Sequence, residues 1–329
     1  MTNNEHVYAS LSPDVMMNAI ESLGYQCSGA NLALNSYENR VYKVGLVEAE
    51  PVIAKFYRPQ RWSDAAILEE HQFSQELQQH EIPVVAPLVF NGDQTLLNYD
   101  NFRFALFPCQ GGRAPEMNDP DDFLIMGRFL GRIHAVGATR PFDHRPVLNI
   151  ESFGHEPLAF LMAHNFIPDD LRDAYETLVN DLLKSIENIF ATQQQLKAIR
   201  LHGDCHLGNV LWTDNGPHFV DLDDCRMGPA IQDIWMLLSG DRQAMTLQLA
   251  EIVDGYREFN DFDPRELHLI EPLRSLRMIH YSAWLARRWD DPAFPLNFPW
   301  FAEPRYWEEQ ILTLREQFAL LQEPPLVCN

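Results

Sequence analysis

One β-like island, NVLWTDNGPHFVDLD over 209–223, interrupts a long run of helical segments, and it constrains this chain more than any other feature. Asn215-Gly216 lies between two apolar runs, a strong hairpin signal because both residues tolerate positive φ. Counting back from a two-residue turn at 215–216 pairs Thr213 with His218, Trp212 with Phe219 and Val210 with Asp221. Pro217 weakens the first turn hydrogen bond, which leaves room for the register to slip. In either register the hairpin is predicted to bring Asp221 beside Asn209 and the loop that contains Asp204.

The surrounding texture divides the chain in two. The first third alternates short β-rich runs with turns: NRVYKVGL, PVIAKFY, APLVF and FRFALF. One helical segment, SDAAILEEHQFSQELQQH, separates the second run from the third. Ile67, Leu68, Phe73 and Leu77 recur on it at helical period, and Ser63 or Asp64 can cap its start. Strands with one helix describe a small antiparallel sheet lobe. After Phe107 the segment PCQGGRAPEMNDP, rich in Pro and Gly, reads as a connection between lobes, and beyond it the chain is mostly helical. The expectation is an α+β fold of two lobes, a small sheet lobe over 1–107 and a larger, mainly helical one over 108–329, with a hinge at about 107–112.

Composition removes several function classes. A net charge of −22 argues against binding a nucleic-acid backbone, which depends on Lys and Arg clusters. It suits a very soluble surface, or neutral and cationic partners. Five cysteines without a CxxC pair argue against a zinc site or a disulfide framework, and fit a reducing compartment. The twelve histidines contain no HExxH spacing. No apolar stretch is long enough to span a bilayer, and MTNNEHVYAS lacks the build of a signal peptide. A cytosolic monomer with no nucleic-acid or membrane partner is expected.

The oxygen-bearing set around the island suits phosphoryl transfer from ATP. Mg2+ prefers a few protein oxygens and completes its shell with phosphate and water. An Asp and an Asn can bridge metal to phosphates, while a second Asp orients the attacking hydroxyl and accepts its proton. Asp204 followed at the fifth position by Asn209 has the D-x-x-x-x-N spacing of a kinase catalytic loop. Asp221 then takes the place of the metal-binding Asp that follows a β-hairpin.

HGDCHLGN (202–209) followed by VDLDD (220–224) resembles the H-G-D-x-H-x-x-N and I-D-x-x-D signatures of the aminoglycoside phosphotransferase and choline kinase superfamily. Within it, the order of elements over nearly the whole chain is similar to that of a bacterial stress-response Ser/Thr protein kinase. The resemblance implies that Asp204 is the catalytic base and that Asn209 and Asp221 hold Mg2+, Asp221 serving catalysis as well. It makes His202 and His206 braces of the catalytic loop, and Asp233 a buried anchor of that loop. Asp223 is a candidate for an additional or indirect metal contact. Either motif alone would read as a turn or a solvated acidic edge; together and in order they do not.

On the nucleotide side, Lys55 sits inside an apolar β run, where an unpaired lysine would be costly. Glu70 is the favoured partner by its spacing to Phe73 and Leu77, with Glu69 the alternative; a snorkelling edge lysine is the bland one. No G-x-G-x-x-G precedes the Lys55 strand, and relatives in the superfamily also lack it. Ser36 to Asn39 can offer N–H groups and short polar side chains to phosphate, or simply form a polar hairpin. Phe107 and Cys109, at the lobe junction, are placed to meet an adenine edge by position alone. Cys205 beside the base reads as inert, and the aromatic run PAFPLNFPWFAEPRYW as packing. The stretch from Asp221 to Asp233 is too short for a long activation loop. The predicted acceptor is a protein Ser or Thr hydroxyl, the alternative a small alcohol such as choline, homoserine or an aminoglycoside. A non-catalytic ATP-binding scaffold is disfavoured because the base, the metal ligands and the lysine are all retained.

Overall fold

A computed structural model describes residues 7–193 and 195–328. The chain forms two compact units, each discontinuous in sequence. The first holds the described residues up to Glu116 together with Phe142–Arg145 and His206–Cys225; the second holds Met117–Pro141, Pro146–Cys205 and everything described from Arg226 onward.

In the first unit, helix α1 (Pro13–Glu21) precedes five strands: β1 (Cys27–Ala33), β2 (Arg40–Leu46), β3 (Val52–Phe56), β4 (Leu97–Tyr99) and β5 (Phe102–Pro108). They form one antiparallel sheet in the order β1-β2-β3-β5-β4, so β3 is central. Side chains alternate across a strand. Val44, Leu46, Ala54, Phe56, Phe104 and Leu106 therefore share one face and pack under Met16 and Ile20 of α1. Lys55 has the opposite parity. It emerges on the other face, where Ala105 packs with Ile67 of helix α2 (Asp64–Gln79). Ser63 caps α2 by accepting the Ala66 N–H at 3.2 Å.

Several local expectations change. APLVF joins no ladder: Pro87 has no N–H to give, and the segment touches its neighbours through single bonds such as Leu88 N–H to Leu106 O at 2.7 Å. The strands β1 and β4 and the helix α1 lie outside the runs read from the sequence. Most of β1 is exposed, it has Gly29 at φ 84°, and its register is irregular between Cys27 and Asn31, so no alternating apolar pattern marks it.

The second unit carries helices α3 (Pro120–Gly137), α4 (Glu156–Ala163), α5 (Asp169–Thr192), α6 (Ile231–Trp235), α7 (Arg242–Arg257), α8 (Ile270–Arg287), α9 (Ala293–Asn297) and α10 (Pro304–Leu320). Strand β6 (Ile199–Leu201) pairs with β9 (Arg226–Gly228) there, whereas β7 (Val210–Thr213) pairs with β8 (Gly216–Phe219) in the first unit. Helices α3 and α7 meet backbone to backbone. A Cβ on Gly127 would overlap the Ile252 carbonyl, and one on Gly255 the Leu124 carbonyl. Among the described residues no helix is long and apolar enough to cross a membrane.

Candidate active site

In the first unit a buried charge network is built around Lys55. Its ammonium lies 3.2 Å from Glu70, 3.0 Å from Asp223 and 3.3 Å from Asp221. Burial alone would push Lys55 down, but Asp223, Glu70 and Asp221 outweigh it and hold the ammonium well above the usual lysine value. Of the two glutamates of α2 it is Glu70 that reaches Lys55. Glu69 instead accepts the backbone N–H groups of Asp143, His144 and Arg145 at 2.6–2.8 Å. That places Arg145, whose guanidinium donates to Glu70 at 2.7 Å and to the carbonyls of Ala66 and Asp223. Asp223 is buried and also bound by Arg61, which reaches Asp224 at 2.9 Å. Burial works to raise the Asp223 carboxyl; Arg61 and Lys55 prevail and hold it at about 2.

Arg61 and Arg145 escaped the sequence reading. No local signal marks them, because the site carboxylates they meet lie 75 to 163 residues away along the chain. Asp223 faces these cations, which accounts for its burial without a metal.

The hairpin sits in a different register from the one expected. Thr213 pairs with Gly216, Trp212 with Pro217, Leu211 with His218 and Val210 with Phe219. The turn residues are thus Asp214 and Asn215, and the left-handed position belongs to Gly216 alone, at φ 101°. The pairing runs one-to-one up to the turn, with the glycine closing it. The pairing moves by two residues, which keeps every side chain on its original face. Beyond the last pair, the Val220 N–H donates to the Asn209 carbonyl at 3.0 Å, so Asp221 follows directly on the residue bonded to Asn209. Asp221 itself is left-handed, at φ 58° and ψ 63°. An aspartate tolerates this conformation better than most residues, and such positions cluster where function demands a particular side-chain direction.

A cavity of about 530 Å³ opens on this unit. Lys55, Glu70, Asn209 and Asp221 line it, with Ser36 on the β1–β2 side and Phe107 and Cys109 at the end of β5. Asn39 does not. It is buried, and its amide oxygen accepts the Arg58 N–H at 3.0 Å, so its role is to hold the 36–39 turn to the strand end. The Asp221 side chain is half exposed. With Asn209 it offers an oxygen-only donor set, which fits Mg2+ completed by phosphate and water.

Asp204 belongs to the second unit, in the loop after β6. Asp233 of α6, wholly buried, accepts the backbone N–H groups of His202 and Gly203, both at 2.8 Å, and faces His134 Nε2 at 3.0 Å. Burial opposes its ionisation, but these bonds and the nearby histidines bring its carboxyl below the usual range. Gly203, at φ 86°, makes the turn that leads into Asp204. The Asp204 carboxylate is partly exposed and ion-paired with Arg277 of α8 at 2.6 Å. Burial, with Asp233 and Asp204 nearby, pushes the Cys205 thiol well up, which favours the unreactive thiol. His206, back in the first unit, accepts the Gly208 N–H at 3.0 Å and caps the short turn before Asn209.

Known proteins give this arrangement its context. Residues 31–270 match the model of the phosphotransferase enzyme family, APH. The chain is 46% identical over 326 residues to "Stress response kinase A" of Escherichia coli K12, covering 99% of this chain and 98% of that protein. It is 45% identical over the same length and coverage to "Serine/threonine protein kinase RdoA" of Salmonella typhimurium LT2. Among solved structures, an amicoumacin kinase in complex with AMP-PNP and Ca2+ superposes with a TM-score of 0.70 at 20% identity, over 92% of this chain and 95% of that one. A microcompartment-associated aminopropanol kinase gives 0.69 at 17%, over 94% and 97%. At those identities the likeness shows the fold, an α+β architecture of the protein-kinase-like type. With a family match over most of the chain and near-full-length identity to named kinases, the chain belongs to the phosphotransferase enzyme family and is a kinase of that superfamily.

Proposed function

We propose that this kinase transfers the γ-phosphoryl group of ATP to Ser or Thr hydroxyls of proteins, in a bacterial stress response. The observation that carries this reading is the 45–46% identity along 99% of the chain to relatives named as a stress response kinase and a Ser/Thr protein kinase. The lobe division at 107–112 goes with it.

The roles follow from chemistry. Lys55, fixed by Glu70, holds ATP phosphates, with Ser36 in the turn beside them. Phe107 and Cys109 lie where the adenine edge would rest. Asn209 and Asp221 hold Mg2+, which when bound neutralises charge on the phosphate oxygens. Asp204 orients the acceptor hydroxyl and takes its proton, and Asp233 keeps the Asp204 loop in place. Transfer is direct and in line, with no phosphoenzyme.

The test is incorporation of label from ATP, with Mg2+, into the protein itself and into a generic protein substrate. Label on Ser or Thr is expected, and the Asp204→Ala variant should lose it while largely keeping ATP binding. Near-normal turnover by that variant would remove Asp204 as base. ATP binding without any protein label would move the acceptor to a small alcohol.

A further inference from the structure

The base is not presented to an acceptor as a bare carboxylate. Arg277 stands 2.6 Å from Asp204 Oδ1, a buried oxygen, and its own side chain is 40% exposed, so a solute can reach the guanidinium that covers it. Arg274, one turn back on α8, is bonded to Glu271 at 3.1 Å. Arg277 has Asp204 as its one ion-pair partner among the described residues. One turn onward, on the same face, His280 stacks on Phe153 with ring centres 4.5 Å apart. Phe153 also carries the Arg226 guanidinium at 4.8 Å. Arg226 sits opposite Leu201 in the β6–β9 pair, three residues before the base. Arg277 is thus the guanidinium set directly against Asp204, in a chain whose net charge is −22.

We propose that Arg277 is a specificity-determining residue that selects acceptors with a negative charge close to the reacting hydroxyl, in the first instance a Ser or Thr flanked by acidic residues. This rests on Asp204 being the base of the proposed transfer. A carboxylate on the acceptor gives Arg277 a second, bidentate partner. Arg277 then releases Asp204 Oδ1 to accept the hydroxyl proton. A cationic acceptor offers no such exchange and meets a like charge instead. The acidic net charge of the chain pulls the other way. That field is screened over about 8 Å at physiological ionic strength, so at contact the guanidinium decides.

Four acceptors separate charge from size: a Ser peptide flanked by Glu, the same peptide flanked by Lys, glycerate and choline. Initial rates would be measured for the unmodified chain, Arg277→Gln and Arg277→Lys. We expect kcat/KM to favour the anionic member of any pair that is turned over by tenfold or more. That ratio should fall to near one in Arg277→Gln, chiefly through KM, and largely return in Arg277→Lys. Preference for a cationic member, an unchanged ratio in Arg277→Gln, or turnover of none of the four would overturn the proposal. Whether peptides or small alcohols are turned over reports separately on the protein-kinase reading.

Discussion

Asp223 and Asp233 are both buried, ten residues apart in sequence, and are kept ionised in opposite ways. Asp223, in the first unit, is balanced by the cations Arg61 and Lys55. Asp233, in the second, is balanced by N–H donors: two backbone amides and His134. The first arrangement sets the charge beside a cavity, and its cations have other carboxylates to turn to. The second sets a shape, because each bond fixes one point of the loop that leads to Asp204. Losing the acceptor strands buried N–H groups in the second case, whereas losing one carboxylate in the first leaves cations that still face Glu70, Asp221 or Asp224.

The largest effect is expected from Asp233→Ala. It strands buried N–H groups at about 1–3 kcal/mol each, for a total of roughly 3–5 kcal/mol. Urea unfolding should show the midpoint fall at unchanged slope, with activity falling alongside. A loss below about 1 kcal/mol would mean that the loop is held by something else.

Asp223 should announce itself through pH. Its folded carboxyl sits at about 2, against about 3.9 in an unfolded chain. The depressed value contributes about 2 kcal/mol that is fully present above about pH 4 and is lost as pH falls toward 2. Asp223→Asn should flatten stability over that window. Asp233 is also held low, so the variant removes only part of the acid sensitivity. A wild-type slope left unchanged by the substitution would show that Asp223 does not titrate as the network requires.

The smallest effect tests whether the first unit needs its helix placed as tightly as its charges. Ser63→Ala removes the cap of α2, the helix that carries Glu70, and should cost about 1 kcal/mol. Thermal unfolding should register it with little change in nucleotide affinity. A large loss of ATP binding instead would mean that the cap positions Glu70.

Much of the site was legible because its determinants are local. The parity of Lys55 in an apolar strand, the helical spacing of Glu70 with Phe73 and Leu77, and the five-residue step from Asp204 to Asn209 all follow from short-range geometry. The hairpin was legible as a hairpin, but its register turned on which of Asn215 and Gly216 took the left-handed conformation. Asn39 looked like a phosphate-loop residue, and its amide went to Arg58 instead. The exposed edge strand β1 left no apolar pattern to read.

The sequence by itself pointed to the class of chemistry, because Asp204, Asn209 and Asp221 stand at the spacings of a phosphoryl-transfer signature, and the family match agrees with that class. Only the tertiary structure decided how those groups are held. Glu69 went to the 143–145 backbone, Arg61 to Asp223, Arg145 to Glu70 and Arg277 to Asp204. Such pairings join residues brought together by folding, and an arginine in isolation carries no mark of the carboxylate it will meet. Burial then fixes the choice, since a charge removed from water must end beside its opposite.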